Sequence, residues 1–316
     1  MTLAHVAGRD DQSHEGIQNN PVPGAKFKPI DLVVNEQSIR NYVNAVGDER
    51  FWAFQASVLA RHGVHLAPLT LFDREVAIRL VGVSAGYAMQ AKQEFRFKSP
   101  LRVGEVYRVS GEVSEVTKKR EIGYFSTLAT FAPLSDLGSI HVEAVNTRAY
   151  SFPGNQYSPA RERPPVKLSD WLDGSGARPR ALFPSIGAVV EGRTSLVDQA
   201  RVNLYSGPES NIHTDNAVAR RAGLEGTVAQ GILATELECE LYRDLFGLAY
   251  YRGGEMRASY IHPIRCGMEL RAICIVEEAG ADLLKVRSAV ATSTGIVTSV
   301  GTASVRNWLT DGNVDK

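Results

Sequence analysis

The chain of 316 residues carries 35 basic and 35 acidic side chains, so its formal net charge is zero. A neutral chain has no bulk electrostatic attraction for nucleic acid or anionic lipid, and we therefore expect no nucleic-acid partner and no membrane partner. The apolar fraction of 44% and the charged fraction of 22% are typical of a globular protein, and the length suits either two domains or one large α/β domain.

The N-terminal 26 residues are polar and lack the apolar segment of a signal peptide. They predict a disordered tail, with folded structure from about residue 27. The three cysteines, Cys239, Cys266 and Cys274, show no CxxC spacing. This favours reduced thiols in the cytoplasm over a disulfide framework or a zinc site.

Two stretches of the chain resemble each other after this tail. Residues 97–105 (FKSPLRVGE) align with residues 260–268 (YIHPIRCGM) at an offset of 163, with a proline and a glycine in common. The sequence that follows each glycine alternates apolar and polar residues, which is typical of antiparallel strands with one buried face. A repeat of this length predicts a domain duplication.

A weaker match precedes these turns. Residues 35–47 align with residues 195–207 at an offset of 160. Each segment begins at a potential N-cap, Asn35 or Ser195, and ends in a glycine that suits a left-handed C-terminal position. We therefore predict one helix at the start of each half.

The two halves are predicted to be residues 27–152 and 185–316, joined by residues 153–184. This connecting segment holds six of the 14 prolines, and consecutive prolines cannot supply ladder hydrogen bonds. It is long for a structureless loop, so we predict an extended strap between the halves.

The second half contains a longer helical pattern in residues 227–246. Leucines recur there every fourth residue, and Gly247 follows as a natural helix end. The order of elements predicts a long helix lying across a curved antiparallel sheet.

The densest polar segment lies just before this helix. Residues 205–215 have the sequence YSGPESNIHTD, and residues 228–233 have the sequence VAQGIL. Together they resemble the signature of MaoC-like (R)-specific enoyl-CoA hydratases and dehydratases, roughly S-G-D-x-N-P-I-H-x-D followed by V-A-H-G-M-L. The resemblance covers about residues 183–309, and the first half resembles the degenerate first repeat of the double-hotdog members.

The resemblance implies an α+β double-hotdog fold, with two curved antiparallel sheets each wrapped around a helix. It also implies a homodimeric enzyme without a metal or redox cofactor. The substrate would be an acyl thioester of CoA or of an acyl carrier protein, hydrated or dehydrated reversibly. Such chemistry needs a base that activates water at Cβ and an acid that protonates Cα.

The catalytic pair implied by the resemblance is an aspartate and a histidine, and the histidine position is His213. The aspartate position holds Pro208, which transfers no proton. One inserted residue at this point aligns Glu209 with the family acid, so the predicted pair is Glu209 and His213.

The remaining signature positions are predicted to bind substrate. The backbone N–H of Gly231, near the start of the long helix, is the expected donor to the thioester oxygen, helped by the helix dipole. Ser206, Asn211 and Gln230 are expected to line the same site, with Gln230 at a position where the family often has histidine. Asp215 is expected to cap a helix over residues 216–221.

The first half carries Asp48 at the acid position but Ala53 where the histidine would stand. We therefore expect this half to shape the acyl tunnel without doing chemistry, and Asp48→Asn to leave activity nearly intact. His62, His65 and Asp73 are expected to serve structure.

Two alternatives to hydration remain open at this level. The replacement of the acid by Pro208 suits an isomerase or cyclase on the same fold, and a non-catalytic acyl-binding subunit needs only the tunnel.

Overall fold

The computed structural model describes residues 21–74, 76, 89–119, 122–151, 164–178 and 180–308. Its strands are β1 Ile30–Val33, β2 Met89–Phe97, β3 Val106–Lys119, β4 Ile122–Pro133, β5 Val142–Ser151, β6 Val189–Leu196, β7 Gly254–Tyr260, β8 Glu269–Ala279, β9 Leu283–Thr292 and β10 Val297–Arg306. Its helices are α1 Glu36–Val46, α2 Phe51–His62, α3 Leu168–Asp173, α4 Gln199–Ser206, α5 Asn216–Arg221, α6 Ile232–Phe246 and α7 Leu248–Gly253.

All ten strands join one antiparallel sheet in the order β1-β3-β4-β5-β2-β7-β10-β9-β8-β6. The first five strands in this order belong to the first half. The other five belong to the second half and follow the corresponding order in reverse along the sheet. The halves meet where β2 pairs with β7, and Glu94 faces Arg257 there at the offset of 163. The neighbouring pairs Gln93–Ala258 and Phe95–Met256 exchange under the same offset, so a pseudo-twofold axis passes through this seam. The predicted α+β double-hotdog fold is confirmed, with its two sheets continuous.

Helix α6 is the buried centre of the second half. Every residue in it except Asp244 and Leu245 is buried, because strands β6, β8, β9 and β10 pack around it. It ends at Phe246, before a glycine with φ of 58°, as the sequence predicts.

The predicted start of this helix at Thr227 is wrong, because α6 begins five residues later. The backbone N–H of Val228 donates to Ile212 (3.2 Å), and that of Ala229 donates to Ile264 (2.7 Å). These donors are committed to the neighbouring loops, which holds residues 227–230 in a non-helical path.

The first helix of each half is capped by a side chain. Asn35 caps α1 and forms a capping box with Ser38, and Gly47 ends the helix at φ of 74°, both as predicted. The predicted cap Ser195 is wrong, because this residue pairs with Leu270 inside the sheet. Asp198 caps α4 instead, which restores the offset of 163 from Asn35.

Two tyrosines, one on α1 and one on α4, form hydrogen bonds between the two halves. The Tyr42 hydroxyl donates to Glu236 on α6 (2.7 Å), and the Tyr205 hydroxyl donates to Asp73 in the first half (3.2 Å). The two rings meet edge to face, with centroids 6.3 Å apart. Each half therefore supplies a hydrogen-bond donor to a buried acid of the other.

A buried charged layer extends this interface. Asp48 accepts two hydrogen bonds from Arg243 on α6, one of them 3.0 Å long. Arg193 donates hydrogen bonds to Glu240 from Nε and Nη2, and its Nη2 also donates to the carbonyl oxygen of Gly47 (2.6 Å). Residues of both halves therefore share one polar network beneath α1.

The connecting strap contains α3 and is not purely extended. Its Leu168 N–H donates to Gly295 (2.8 Å), and Trp171 packs with Leu168 on the outward alanines of β9. Residues 153–163 and residue 179 of the predicted strap lie outside the described residues.

Residues 1–20 of the predicted tail lie outside the described residues. The predicted start of folded structure near Phe27 is a few residues late, since the Gly24 N–H already donates to Val113 of β3 (2.8 Å). No helix in the described parts of the chain is long and apolar enough to span a membrane.

Candidate active site

The signature loop, residues 207–215, connects α4 to α5 and is held by Asn211. The Asn211 amide oxygen accepts the His213 N–H (2.8 Å), and its nitrogen donates to the Glu209 carbonyl (3.1 Å). Thr214 donates to the same carbonyl (3.0 Å). Both ends of the Asn211 amide are thus bound to loop backbone, which gives this residue a positioning role.

The imidazole of His213 has a defined tautomer. Its Nδ1 lies 2.7 Å from the carbonyl oxygen of Val228, which only accepts, so Nδ1 carries the proton. Burial lowers the pKa of His213, and the nearby charge of Arg148 lowers it further, against the effect of that hydrogen bond. The ring is therefore neutral at pH 7, and its Nε2 presents a lone pair.

Glu209, the predicted partner of His213, points toward solvent. Its side chain is 71% exposed, and its carboxylate lies 4.0 Å from Arg74 Nη2. His213 makes no hydrogen bond with Glu209 in the described residues. The structure therefore places the two predicted groups on one loop without joining them.

Gly231 lies at the N-terminal end of α6 beneath an aromatic ring. A Cβ at this position would lie 2.8 Å from Cζ of Tyr260, so only glycine fits. The Tyr260 hydroxyl is fixed by Thr235 (2.7 Å). Within the described residues the Gly231 N–H donates no hydrogen bond, and the dipole of the fifteen-residue helix adds positive potential there. This N–H is free to bind an oxygen atom that gains negative charge.

Gln230 and Ser206 form a buried pair beside Gly231. The Gln230 amide nitrogen donates to the Ser206 hydroxyl and to the Val202 carbonyl (3.3 Å). The Ser206 carbonyl in turn accepts a hydrogen bond from Arg74 (2.9 Å). The Gln230 amide oxygen is buried and has no partner in the described part of the chain, so this pair leaves one acceptor beside the helix start.

The first half also brings charged side chains to this site, and the sequence does not predict these residues. Arg148 on β5 acts electrostatically on His213 and on Asp73, and Asp73 accepts the Tyr205 hydroxyl bond. Asp73, expected to serve only structure, is a buried carboxylate of this neighbourhood. The nearest sequence signal is the duplication, because it implies that the halves pack together.

Two other carboxylates have structural roles. Asp215 caps α5 by accepting the N–H groups of Ala217 (2.7 Å) and Val218 (3.2 Å), as predicted. Asp48 is held by Arg243 in the interface between the halves. No cluster of three or more His, Cys, Asp or Glu side chains in the described residues is placed to hold a metal ion.

A family model described as the FAS1-like dehydratase domain region matches residues 21–135, in the half whose resemblance in sequence is the weaker. No curated protein matches the chain.

Several solved structures share the fold across both halves. A MaoC-like dehydratase superposes with a TM-score of 0.69 at 16% identity, covering 90% of this chain and 98% of that one. A MaoC domain dehydratase from Chloroflexus aurantiacus gives 0.63 at 15% identity, covering 89% and 94%. A conserved hypothetical protein from Mycobacterium tuberculosis, described as a double hotdog fold, gives 0.61 at 14% identity, covering 89% and 96%. The resemblance to MaoC-like dehydratases is confirmed at the level of the fold.

Proposed function

We propose that this double-hotdog protein, similar to MaoC-like dehydratases, catalyses the reversible hydration of an enoyl thioester and the dehydration of the 3-hydroxyacyl thioester. One observation carries the proposal: the neutral His213 lies in the loop that meets the start of α6, where the Gly231 N–H is free. A hydro-lyase needs a proton-transfer group and a stabiliser of the enolate oxygen. The two are supplied by neighbouring segments, since Val228 lies only three residues before Gly231.

In the hydration direction His213 acts as the base. Its Nε2 accepts a proton from water as the oxygen attacks Cβ, and Nδ1 remains bonded to the Val228 carbonyl, which stabilises the imidazolium. The electron pair of the double bond moves toward the thioester carbonyl, whose oxygen binds the Gly231 N–H. Protonation of Cα then completes the addition.

The second proton-transfer group in this proposal is a carboxylate, and two candidates are available. Glu209, the predicted partner, lies on the same loop as His213, and its exposed carboxylate is beside Arg74. Asp73 is buried and is linked to the site through Tyr205 and Arg148. We keep Glu209 as the proposed partner because it follows the signature, and we treat Asp73 as its structural rival.

The test follows the loss of enoyl absorbance with crotonyl-CoA and longer enoyl thioesters. His213→Ala is expected to lower kcat by about 100- to 10,000-fold, with the thermal midpoint nearly unchanged. His62→Ala is the matched control, since this exposed histidine lies at the end of α2. Wild-type protein that hydrates no enoyl thioester contradicts the proposal.

The carboxylate is assigned by comparing Glu209→Gln with Asp73→Asn. If Glu209 acts with His213, Glu209→Gln and the double variant lose as much activity as His213→Ala, because the two residues work as a unit. In the other outcome, Glu209→Gln leaves turnover unchanged, whereas Asp73→Asn abolishes turnover and removes one limb of the pH–rate profile. The acid then comes from the first half.

The isomerase or cyclase and the non-catalytic acyl-binding subunit remain the alternative proposals. The exposure of Glu209 favours them, because one-base isomerisation and simple binding need no second group on this loop. A protein that binds acyl thioesters without hydrating them takes one of these roles.

The remaining parts of the proposal concern its surroundings. We propose a thioester of CoA or of an acyl carrier protein as substrate, a cytoplasmic location consistent with three free cysteines, and a homodimer. Light scattering of the purified chain tests the homodimer.

A further inference from the structure

A continuous line of polar side chains crosses the helix-facing side of the first-half strands. Arg148 on β5 donates to the Asn146 amide oxygen (3.3 Å), and the Asn146 nitrogen donates to Gln93 Oε1 on β2 (2.8 Å). Gln90 donates to the same Gln93 oxygen (2.5 Å). We call Arg148, Asn146 and Gln93 the polar line.

The polar line faces the helices rather than solvent. Phe97, four residues beyond Gln93 and on the same side of β2, packs edge to face on Tyr250 of α7. Gln93 is 0% exposed, and Asn146 beside it is also buried. A surface that contacts only an alkyl chain does not need three hydrogen-bonding side chains.

Gln93, at the end of the polar line, has an unpaired hydrogen-bond donor among the described residues. Its Nε2 has no partner in the described residues, although its Oε1 accepts two hydrogen bonds. A buried amide N–H₂ left unpaired is costly, and native proteins pair nearly all such groups. Among the described residues, the Ser299 hydroxyl is another buried group without a partner, and Ser299 pairs in register with Tyr260, whose ring covers Gly231.

The other end of the line lies near His213, the proposed catalytic base. Arg148 acts electrostatically on His213, so the line leads from the reacting centre toward the seam between the halves. Strand geometry sets Gln93 about 8 Å beyond Arg148, two residues along and one strand across. The charge of Arg148 is opposed by Asp73, which favours a neutral partner over a second carboxylate.

We propose that the polar line binds the acyl group of the substrate, and that this acyl group carries a carbonyl or hydroxyl oxygen beyond its double bond. Gln93 Nε2 donates to that oxygen. The inference rests on the proposed thioester site, and it names an oxygenated acyl chain rather than a plain alkyl chain as the substrate class.

The experiment measures binding, so it does not depend on turnover. Calorimetry compares saturated CoA thioesters of equal chain length that carry a methylene, a carbonyl or a carboxylate at successive positions. Wild-type protein is expected to bind the best-placed carbonyl compound about three- to tenfold more tightly than the alkyl compound. Gln93→Leu is expected to abolish this preference while the alkyl compound binds as before.

Gln90→Leu is the matched control, because it removes one hydrogen bond of the same network and keeps the Gln93 donor. It is expected to keep the preference. If Gln93→Leu does not fold, Gln93→Glu replaces the donor with an acceptor and is expected to reverse the preference.

Three results overturn the inference: equal binding of alkyl and carbonyl compounds by wild type, equal weakening of both by Gln93→Leu, and tightest binding of the carboxylate. Absent hydration with an intact carbonyl preference contradicts the proposed function alone.

Discussion

The buried ion pair between Asp48 and Arg243 permits a quantitative prediction. Both side chains are about 5% exposed or less, and they lie 195 residues apart in the chain, in different halves. Although burial opposes it, the hydrogen bonds that Arg243 donates to Asp48 hold the pKa of Arg243 above the ordinary arginine value. Asp48→Asn leaves the buried guanidinium with only the longer pair to the partly exposed Asp244, at 3.8 Å.

Removing one partner of a buried pair typically costs about 3–5 kcal/mol. An unfolding entropy of about 2.1 cal/mol/K per residue gives about 0.66 kcal/mol/K for the 316-residue chain. The midpoint of thermal unfolding is therefore expected to fall by about 5–8 °C. Turnover per folded molecule is expected to stay near wild type, because Asp48 is bound within the interface and not at His213.

The assay combines calorimetry or thermal circular dichroism with the enoyl-thioester rate at a temperature where both proteins are folded. Asp31→Asn is the matched control, since its pair with Arg108 is roughly 40% exposed on both sides, and exposed ion pairs contribute little to stability. A midpoint for Asp48→Asn equal to that of the control would refute the structural reasoning. A collapse of turnover in the folded variant would move the chemistry to the first half.

Three further predictions follow from the same interface and site. Gly231→Ala places a Cβ 2.8 Å from the Tyr260 ring, so kcat is expected to fall by on the order of 100-fold, and Gly231→Ala/Tyr260→Ala to recover part of it in steady-state kinetics. Burial raises the pKa of Glu236 from 4.5 to about 8, so its contribution to stability is lost as pH rises between these values. Glu236→Gln is therefore expected to make the free energy of unfolding, measured with denaturant, depend less on pH from 5 to 8. An unchanged slope of that free energy against pH would contradict this. Burial lowers the pKa of His213 below its usual 6.5, so the acid limb of kcat/KM is expected below pH 6.5, and a limb at or above pH 6.5 would contradict a buried ring during turnover.

Local signals in the sequence carried most of the architecture. The Pro-x-x-x-Gly turns, the alternating strands and the leucine repeat predict the duplication and the central helix, since each depends on residues within one turn or one strand. The cap Asn35 and the helix end Gly247 were predictable for the same reason.

The errors arose where a backbone group has a distant partner. The path of residues 227–230 depends on acceptors in the loops at Ile212 and Ile264, and the true cap Asp198 depends on where β6 ends. Helix propensity alone does not include such partners.

The candidate site divides in the same way. By itself the sequence determined the loop that carries His213, the glycine at position 231 and the missing acid at Pro208, because the signature is contiguous in the chain. Only the tertiary structure decided that Glu209 faces outward and that the charge of Arg148, in the other half, acts on His213. The halves are joined by the pairing of β2 with β7, and contacts between residues so far apart leave no local pattern in the sequence.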